Sequence, residues 1–134
     1  MLAYEIKEGV DPKEVQMLTA PAFYLLGALT LYCHQHKLPP PVITSLRDHY
    51  DGRVSTGHKD SRAFDVSTRG WTVDEIDDMV HEFNARYKNI AAFSASDLVP
   101  RAVIYHKVDG NAWHLHFQVR PGHLIKENIF NVKE

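Results

Sequence analysis

The chain has 134 residues, 44% hydrophobic and 24% charged, with a formal charge of −2 at neutral pH. These values fit one globular domain over 1–134, large enough to bury a core without disulfides. They exclude the basic footprint of a nucleic-acid binder and the polybasic face of a protein that works on acidic lipid.

The first residues, Met-Leu-Ala-Tyr-Glu-Ile-Lys-Glu, lack the basic-then-apolar layout of a secretory signal. The most apolar run, Ala22 to Cys33, is about half the length of a bilayer span. The expectation is a soluble chain made in the cytoplasm. Residues 2–6 read as a short strand or an extended arm. Asp11-Pro12-Lys13-Glu14 is a helix start, with Asp11 as N-cap, Pro12 at the first helical position and Glu14 reaching back. Pro21 interrupts this helix, so a short helix is followed, after a kink or break, by a longer one to about Lys37. Val15, Leu18, Ala22, Leu25, Leu26 and Leu29 recur at helical spacing and form its buried stripe. Cys33, the single cysteine, has no disulfide partner and no neighbour at metal-ligand spacing, so it reads as a helical core residue. His34 and His36 fall on different faces and suit the negative end of the helix dipole better than a metal.

Pro39-Pro40-Pro41 stops the helix and leads into a β-rich segment, Val42-Ile43-Thr44-Ser45. From Leu46 to Gly57 the chain is polar and turn-like; His49, Arg53 and the nearby Lys59 are candidates to line a cleft, with a solvated loop as the default. In Arg62-Ala63-Phe64-Asp65-Val66, strand alternation turns Phe64 and Val66 one way, and Ala63 and the carboxylate of Asp65 the other. Ser67-Thr68-Arg69-Gly70 closes this segment. Arg69 is a lesser candidate for substrate contact. Thr72-Val73-Asp74-Glu75 is a capping box that opens a helix to about Lys88, with Val73, Ile76, Met79, Val80, Phe83 and Tyr87 as its apolar period. Asp74, Glu75, Asp77 and Asp78 complement the dipole at its start and read as a solvated first turn, and His81 lies on the polar face.

Residues 89–100 read as a loop, 101–107 as a strand, Asp109-Gly110 as a hairpin turn and 112–120 as the returning strand. That hairpin brings His106 or Tyr105 across from the His114–His116 segment, depending on register. His106 is thereby a candidate assistant or partner of the site. In Trp113-His114-Leu115-His116-Phe117-Gln118-Val119 the residues alternate, with Trp113, Leu115, Phe117 and Val119 as a hydrophobic anchor and 114, 116 and 118 on the opposite face. After Pro121-Gly122 the tail to Glu134 is read as a short helix or a contact with a neighbour. Together, His58, Asp65, His114 and His116 supply the imidazole and carboxylate donors that a single zinc prefers.

Thr56-Gly57-His58-Lys59-Asp60-Ser61-Arg62-Ala63-Phe64-Asp65, followed by His114-Leu115-His116, resembles the superfamily of zinc D-alanyl-D-alanine carboxypeptidases, hedgehog signalling domains and phage endolysin peptidases. That superfamily carries Ser/Thr-x-His-x-x-Gly-x-Ala-x-Asp and then a late His-x-His or Glu-x-x-His. Ile43-Thr44-Ser45-Leu46-Arg47 is similar to the segment that precedes its first ligand, so the likeness covers about 41–120. It implies an α+β fold with a small antiparallel sheet flanked by helices. It implies one zinc per chain on His58, Asp65 and His116, with His114 catalytic beside the metal and Arg47 near the substrate carbonyl or carboxylate. Two departures stand out. Ser61 occupies the glycine position, and no glutamate stands three residues before either histidine, those places being Trp113 and Asn111.

The resemblance implies a zinc metallopeptidase that hydrolyses peptidoglycan peptides, of carboxypeptidase, endopeptidase or phage endolysin type. It would reach the cell wall after release, or work within a virion. A catalytic zinc keeps three protein ligands and leaves a position to water, and His114 would move protons or stabilise the oxyanion. The alternative is a non-catalytic structural or binding protein that retains the zinc, which the missing glutamate favours. A histidine-metal nuclease is the weakest reading, for want of a basic patch. No nucleic-acid or membrane partner is expected. Virion and homo-oligomer partners are left open.

Overall fold

In the computed structural model, which describes residues 3–46, 58, 60–93, 98–107 and 112–121, the Asp11-Pro12 signal opens a short 3-10 helix. The Asp11 carboxylate accepts from the Lys13 N–H at 3.0 Å, the N-cap bond expected of it. The elements are β1 (Glu5–Ile6), the 3-10 helix (Pro12–Met17), α1 (Ala20–Gln35), β2 (Val42–Ser45), β3 (Ala63–Ser67), α2 (Val73–Arg86), β4 (Ala92–Phe93), β5 (Pro100–Arg101), β6 (Val103–His106) and β7 (His114–Gln118). Pro21 sits in the first turn of α1, where its missing N–H costs nothing, so the break before it separates two helices. Past Gln35 the chain closes in a Schellman pattern. The Leu38 N–H reaches the Cys33 carbonyl at 2.9 Å and the Lys37 N–H the His34 carbonyl at 3.3 Å, with Lys37 left-handed at φ 57°. That is why the helix ends short of the expected Lys37.

The fold is α+β, and its main sheet is mixed, with strand order β1-β2-β3-β7-β6. The expected antiparallel sheet holds for β2, β3, β7 and β6, but β1 adds to β2 in parallel, Glu5 beside Val42 and Ile6 beside Ile43. The parallel edge is possible because the 3-10 helix and α1 form the long crossover that such a pair requires. The single strand expected over 101–107 divides at Ala102: β5 pairs with β4 in a separate two-stranded sheet, while β6 joins the main one. The segment 89–100 therefore carries strand as well as loop. The hairpin turn expected at Asp109-Gly110 and the tail from Gly122 lie outside the described residues.

Helices α1 and α2 pack on the face of the sheet that carries Phe64, Val66, Leu115 and Phe117, all fully buried. Phe64 stacks on Phe117 at 4.9 Å, and Phe83 of α2 meets Phe117 edge-on at 6.0 Å. The whole expected stripe from Val15 to Leu29 is buried, as is Cys33, whose thiol burial pushes up to about 12. In α2 the capping box forms as expected, Thr72 N–H to Glu75 at 2.8 Å and Glu75 N–H to Thr72 at 3.1 Å. Ile76, Met79 and Phe83 are buried, but Val73, the first residue of α2, is 71% exposed. The outer edge of β6 is closed by Asn84, whose amide donates to the Val103 carbonyl at 3.0 Å and accepts its N–H at 2.9 Å. Among the described residues no helix is long and apolar enough to cross a membrane.

Ser61 holds the turn between His58 and β3. Its carbonyl accepts from Thr19 N–H at 3.0 Å and its N–H donates to the His58 carbonyl at 3.1 Å. Its φ is 59°, the left-handed region in which a side chain is disfavoured by about 1–2 kcal/mol and glycine is not. Ser61→Gly is therefore expected to raise stability by up to about 1 kcal/mol, after the extra chain entropy of glycine is subtracted. Urea unfolding should show a higher midpoint at unchanged slope; a lower midpoint would mean that the hydroxyl matters more than the backbone.

Candidate metal centre

Three elements that are distant in the chain build the site. Strands β3 and β7 place Asp65 opposite His116, Ser67 opposite His114 and Ala63 opposite Gln118. On the other side of β7, β6 places His106 opposite His114 and Ile104 opposite His116, which settles the hairpin register in favour of His106 over Tyr105. Directly opposed residues share a face, so Asp65, His114, His116, His106 and Gln118 stand together, away from the Phe64–Phe117 core. The β2–β3 register shifts between Ile43 and Ser45. It pairs Ile43 with the core-facing Val66 and Ser45 with Asp65. Such irregularities re-aim side chains at the edge of a site. His58 enters from outside the sheet and is 2% exposed.

His58, Asp65 and His116 are all buried, and their ligand atoms lie within 4.8 Å of one another. His58 Nε2 is 3.2 Å from Asp65 Oδ1 and 3.2 Å from His116 Nδ1, and His116 Nδ1 is 2.8 Å from Asp65 Oδ1. The far side of each ring decides what these atoms carry. His58 Nδ1–H donates to the Leu46 carbonyl at 2.7 Å, leaving a lone pair on Nε2. His116 Nε2–H donates to Gln118 Oε1 at 3.1 Å, and Gln118 is held in that orientation because its own amide N–H donates to the Arg101 carbonyl at 3.2 Å. A lone pair is thus left on His116 Nδ1. Two imidazole nitrogens and a carboxylate oxygen converge on one point: without a cation, protons on the imidazoles hold the contacts and Asp65 accepts them, and a cation that binds displaces those protons. The edge of a tetrahedron around zinc at its usual bond lengths is about 3.3 Å, close to these separations. The donor set fits a divalent metal.

Burial alone would raise the Asp65 carboxyl, but hydrogen bonds with His116 and His58, and their charge, hold it well below the usual carboxylate range. Its second oxygen, Oδ2, lies 3.6 Å from His114 Nε2. His114 Nδ1–H is anchored on the Ala112 carbonyl at 3.0 Å, so Nε2 is the atom it presents to the cluster. His106 stands edge-on to His114 at 4.7 Å and 5.5 Å from the His116 ring. Its Nε2 is buried without a hydrogen bond, and burial, followed by the charge of His114 and His116, lowers its pKa.

Of the residues singled out from sequence, His58, Asp65 and His116 are brought together, His114 adjoins them through Asp65, and His106 adjoins His114. Arg47 lies outside the described residues, as do His49, Arg53 and Lys59. Arg69 is exposed, with its backbone N–H on Ser67 Oγ at 3.1 Å. His36 stacks on Tyr32 at 3.9 Å and bonds that residue's carbonyl at 2.9 Å, so it serves the end of α1. Alternation placed Gln118 on the site face, but its function depends on the Arg101 carbonyl of another sheet. Partners of this kind fix the tautomer and orientation of a ligating imidazole, and their loss costs about 10–100-fold in metal affinity. Gln118→Leu is expected to lose that much in a competition titration with a zinc chelator, and Gln118→Glu, which keeps the acceptor for His116 but loses the donor to Arg101, to fall between Gln118→Leu and wild type. No family model, curated protein or solved structure matches the chain.

Proposed function

We propose that the chain is a zinc peptidase of the D-alanyl-D-alanine carboxypeptidase and hedgehog superfamily, cleaving peptide bonds of bacterial peptidoglycan in the manner of a phage endolysin. The observation that carries this reading is the convergence of His58 Nε2, His116 Nδ1 and Asp65 Oδ1 with both imidazole tautomers set from behind. Two nitrogens and one oxygen suit zinc better than the all-oxygen cations, and a three-residue set is the catalytic kind. Bound zinc would supply a Lewis acid that polarises a peptide carbonyl and brings a water towards ionisation near neutral pH.

The residues do the rest. His58, Asp65 and His116 hold the metal, with Leu46 and Gln118 orienting the imidazoles. His114 Nε2, kept at the edge of the cluster by Ala112, is placed to take a proton and pass it to the leaving amine. A second reading, a zinc site kept for stability, is favoured by one observation: Asp65 is the sole carboxylate of the cluster among the described residues, so no glutamate base stands beside it.

Purified protein is expected to carry one zinc per chain and to lower the turbidity of isolated cell walls, with a chelator stopping the reaction and zinc restoring it. Stoichiometric zinc with intact walls at every pH would leave the structural reading, and protein that takes up no divalent metal would overturn both.

A further inference from the structure

Across the sheet from the metal cluster, α1 and α2 leave between them a half-open cavity of ≈ 400 Å³ that shares no residue with that cluster. Its wall is aromatic: Tyr24 of α1 meets Tyr87 at 6.2 Å and 77°, Tyr32 meets Phe83 at 5.5 Å and 89°, and Phe83 meets Tyr87 at 5.1 Å and 62°. Rings at 62–89° to one another pack into the wall as edge-to-face pairs. Gly27 lies in the wall, and a Cβ there would meet nothing within 4 Å, so the absence of a side chain keeps the space open.

Around this space three carboxylates stand against one cation. Glu75, Asp78 and Glu82 lie along α2. Burial first, then Glu82, Asp78 and Glu75 in part, raise the pKa of Tyr32. The cation at the rim, Arg86, is already engaged by Glu82 at 3.6 Å and by Tyr87. From the end of α1, His36 covers one face of Tyr32.

We propose that this cavity binds an alkylated ammonium cation of about the size of a trimethylammonium group. Such a group wraps its charge in methyls, so it gains from the apolar wall by burial and from the negative ring faces and carboxylates by attraction. A metal ion would have to shed its water against a wall with few ligand oxygens, and an anion would meet the α2 carboxylates. A cavity of this size, mostly apolar with a few polar groups, is of the kind that holds small molecules.

The test compares choline with 3,3-dimethylbutan-1-ol, its neutral carbon analogue, by following the aromatic and Gly27 resonances of the full chain. Choline is expected to shift Tyr24, Phe83 and Tyr87 saturably and to bind about three- to thirty-fold tighter than the neutral analogue. Glu82→Gln should weaken choline several-fold. Gly27→Leu should fill the space and abolish binding, with the helical circular dichroism unchanged. Equal binding of the two probes, or no saturable shift with either, overturns the proposal. Should Gly27→Leu fail to fold, the probe pair and Glu82→Gln still decide it. Zinc content enters none of these readouts, so the outcome is independent of the peptidase reading.

Discussion

Asp65→Asn is expected to remove the metal from the chain without unfolding it. Oδ1 of Asp65 touches both imidazole nitrogens that face the ligand point, and Oδ2 faces His114. The amide keeps the shape but loses the charge that draws a cation into a buried site. Changes one residue removed from a metal already cost about 10–100-fold in affinity, so loss of a charged ligand should cost more than about a hundredfold. Metal analysis after dialysis against a weak chelator is the direct check. In the metal-free protein the same substitution removes hydrogen bonds to a charged acceptor, worth roughly 1.5–3 kcal/mol each, and urea unfolding should show a loss of that order. The acid limb gives an independent signature. The folded pKa of Asp65 is depressed, so its contribution is complete above the unfolded value of about 3.9 and disappears as pH falls toward the folded one. Metal-free wild type should therefore lose stability steeply below about pH 4, and Asp65→Asn should lose less over the same range. Parallel acid slopes would mean that the carboxylate is not coupled to the two histidines.

The site was legible because its parts are local and periodic. Alternation in Phe64-Asp65-Val66 and in His114-Leu115-His116-Phe117 separates polar from apolar faces, and the two apolar faces meet as the Phe64–Phe117 stack. The stripe from Val15 to Leu29 was legible for the same reason, since burial repeats at the period of the helix. What escaped depends on partners that no period encodes. The parallel pairing of Glu5–Ile6 with Val42–Ile43 joins segments on either side of α1. The division at Ala102 arises because Arg101 and Val103 pair with different sheets, and the same Arg101 carbonyl fixes Gln118. Val73 has the right spacing to be buried, yet as the first residue of α2 it stays in solvent. That His116 presents Nδ1 to the cluster likewise follows from Gln118 two residues on, a choice between ring nitrogens that residue type cannot make.

His114→Ala separates a catalyst from a structural zinc protein, and the expected result is full zinc content with wall hydrolysis lowered about 10²–10⁴-fold, the usual worth of a positioned acid–base group. The argument is geometric. His114 Nε2 reaches Asp65 Oδ2 at 3.6 Å but stands outside the set of three that converge, so its removal leaves those contacts in place. Its ring is anchored by the Ala112 carbonyl and packed by the edge-on His106, which leaves Nε2 facing Asp65 of the cluster. On the proposed mechanism, in which the imidazole acts on protons in flight and not on the bound peptide, the loss should fall on kcat with KM little changed. His106→Ala should cost less, since His106 meets His114 and His116 by ring packing and its Nε2 makes no hydrogen bond. An equal loss in both variants would move the proton-transfer role to the pair. Undiminished hydrolysis in His114→Ala would take the role away from it, and zinc lost together with activity would make His114 a ligand.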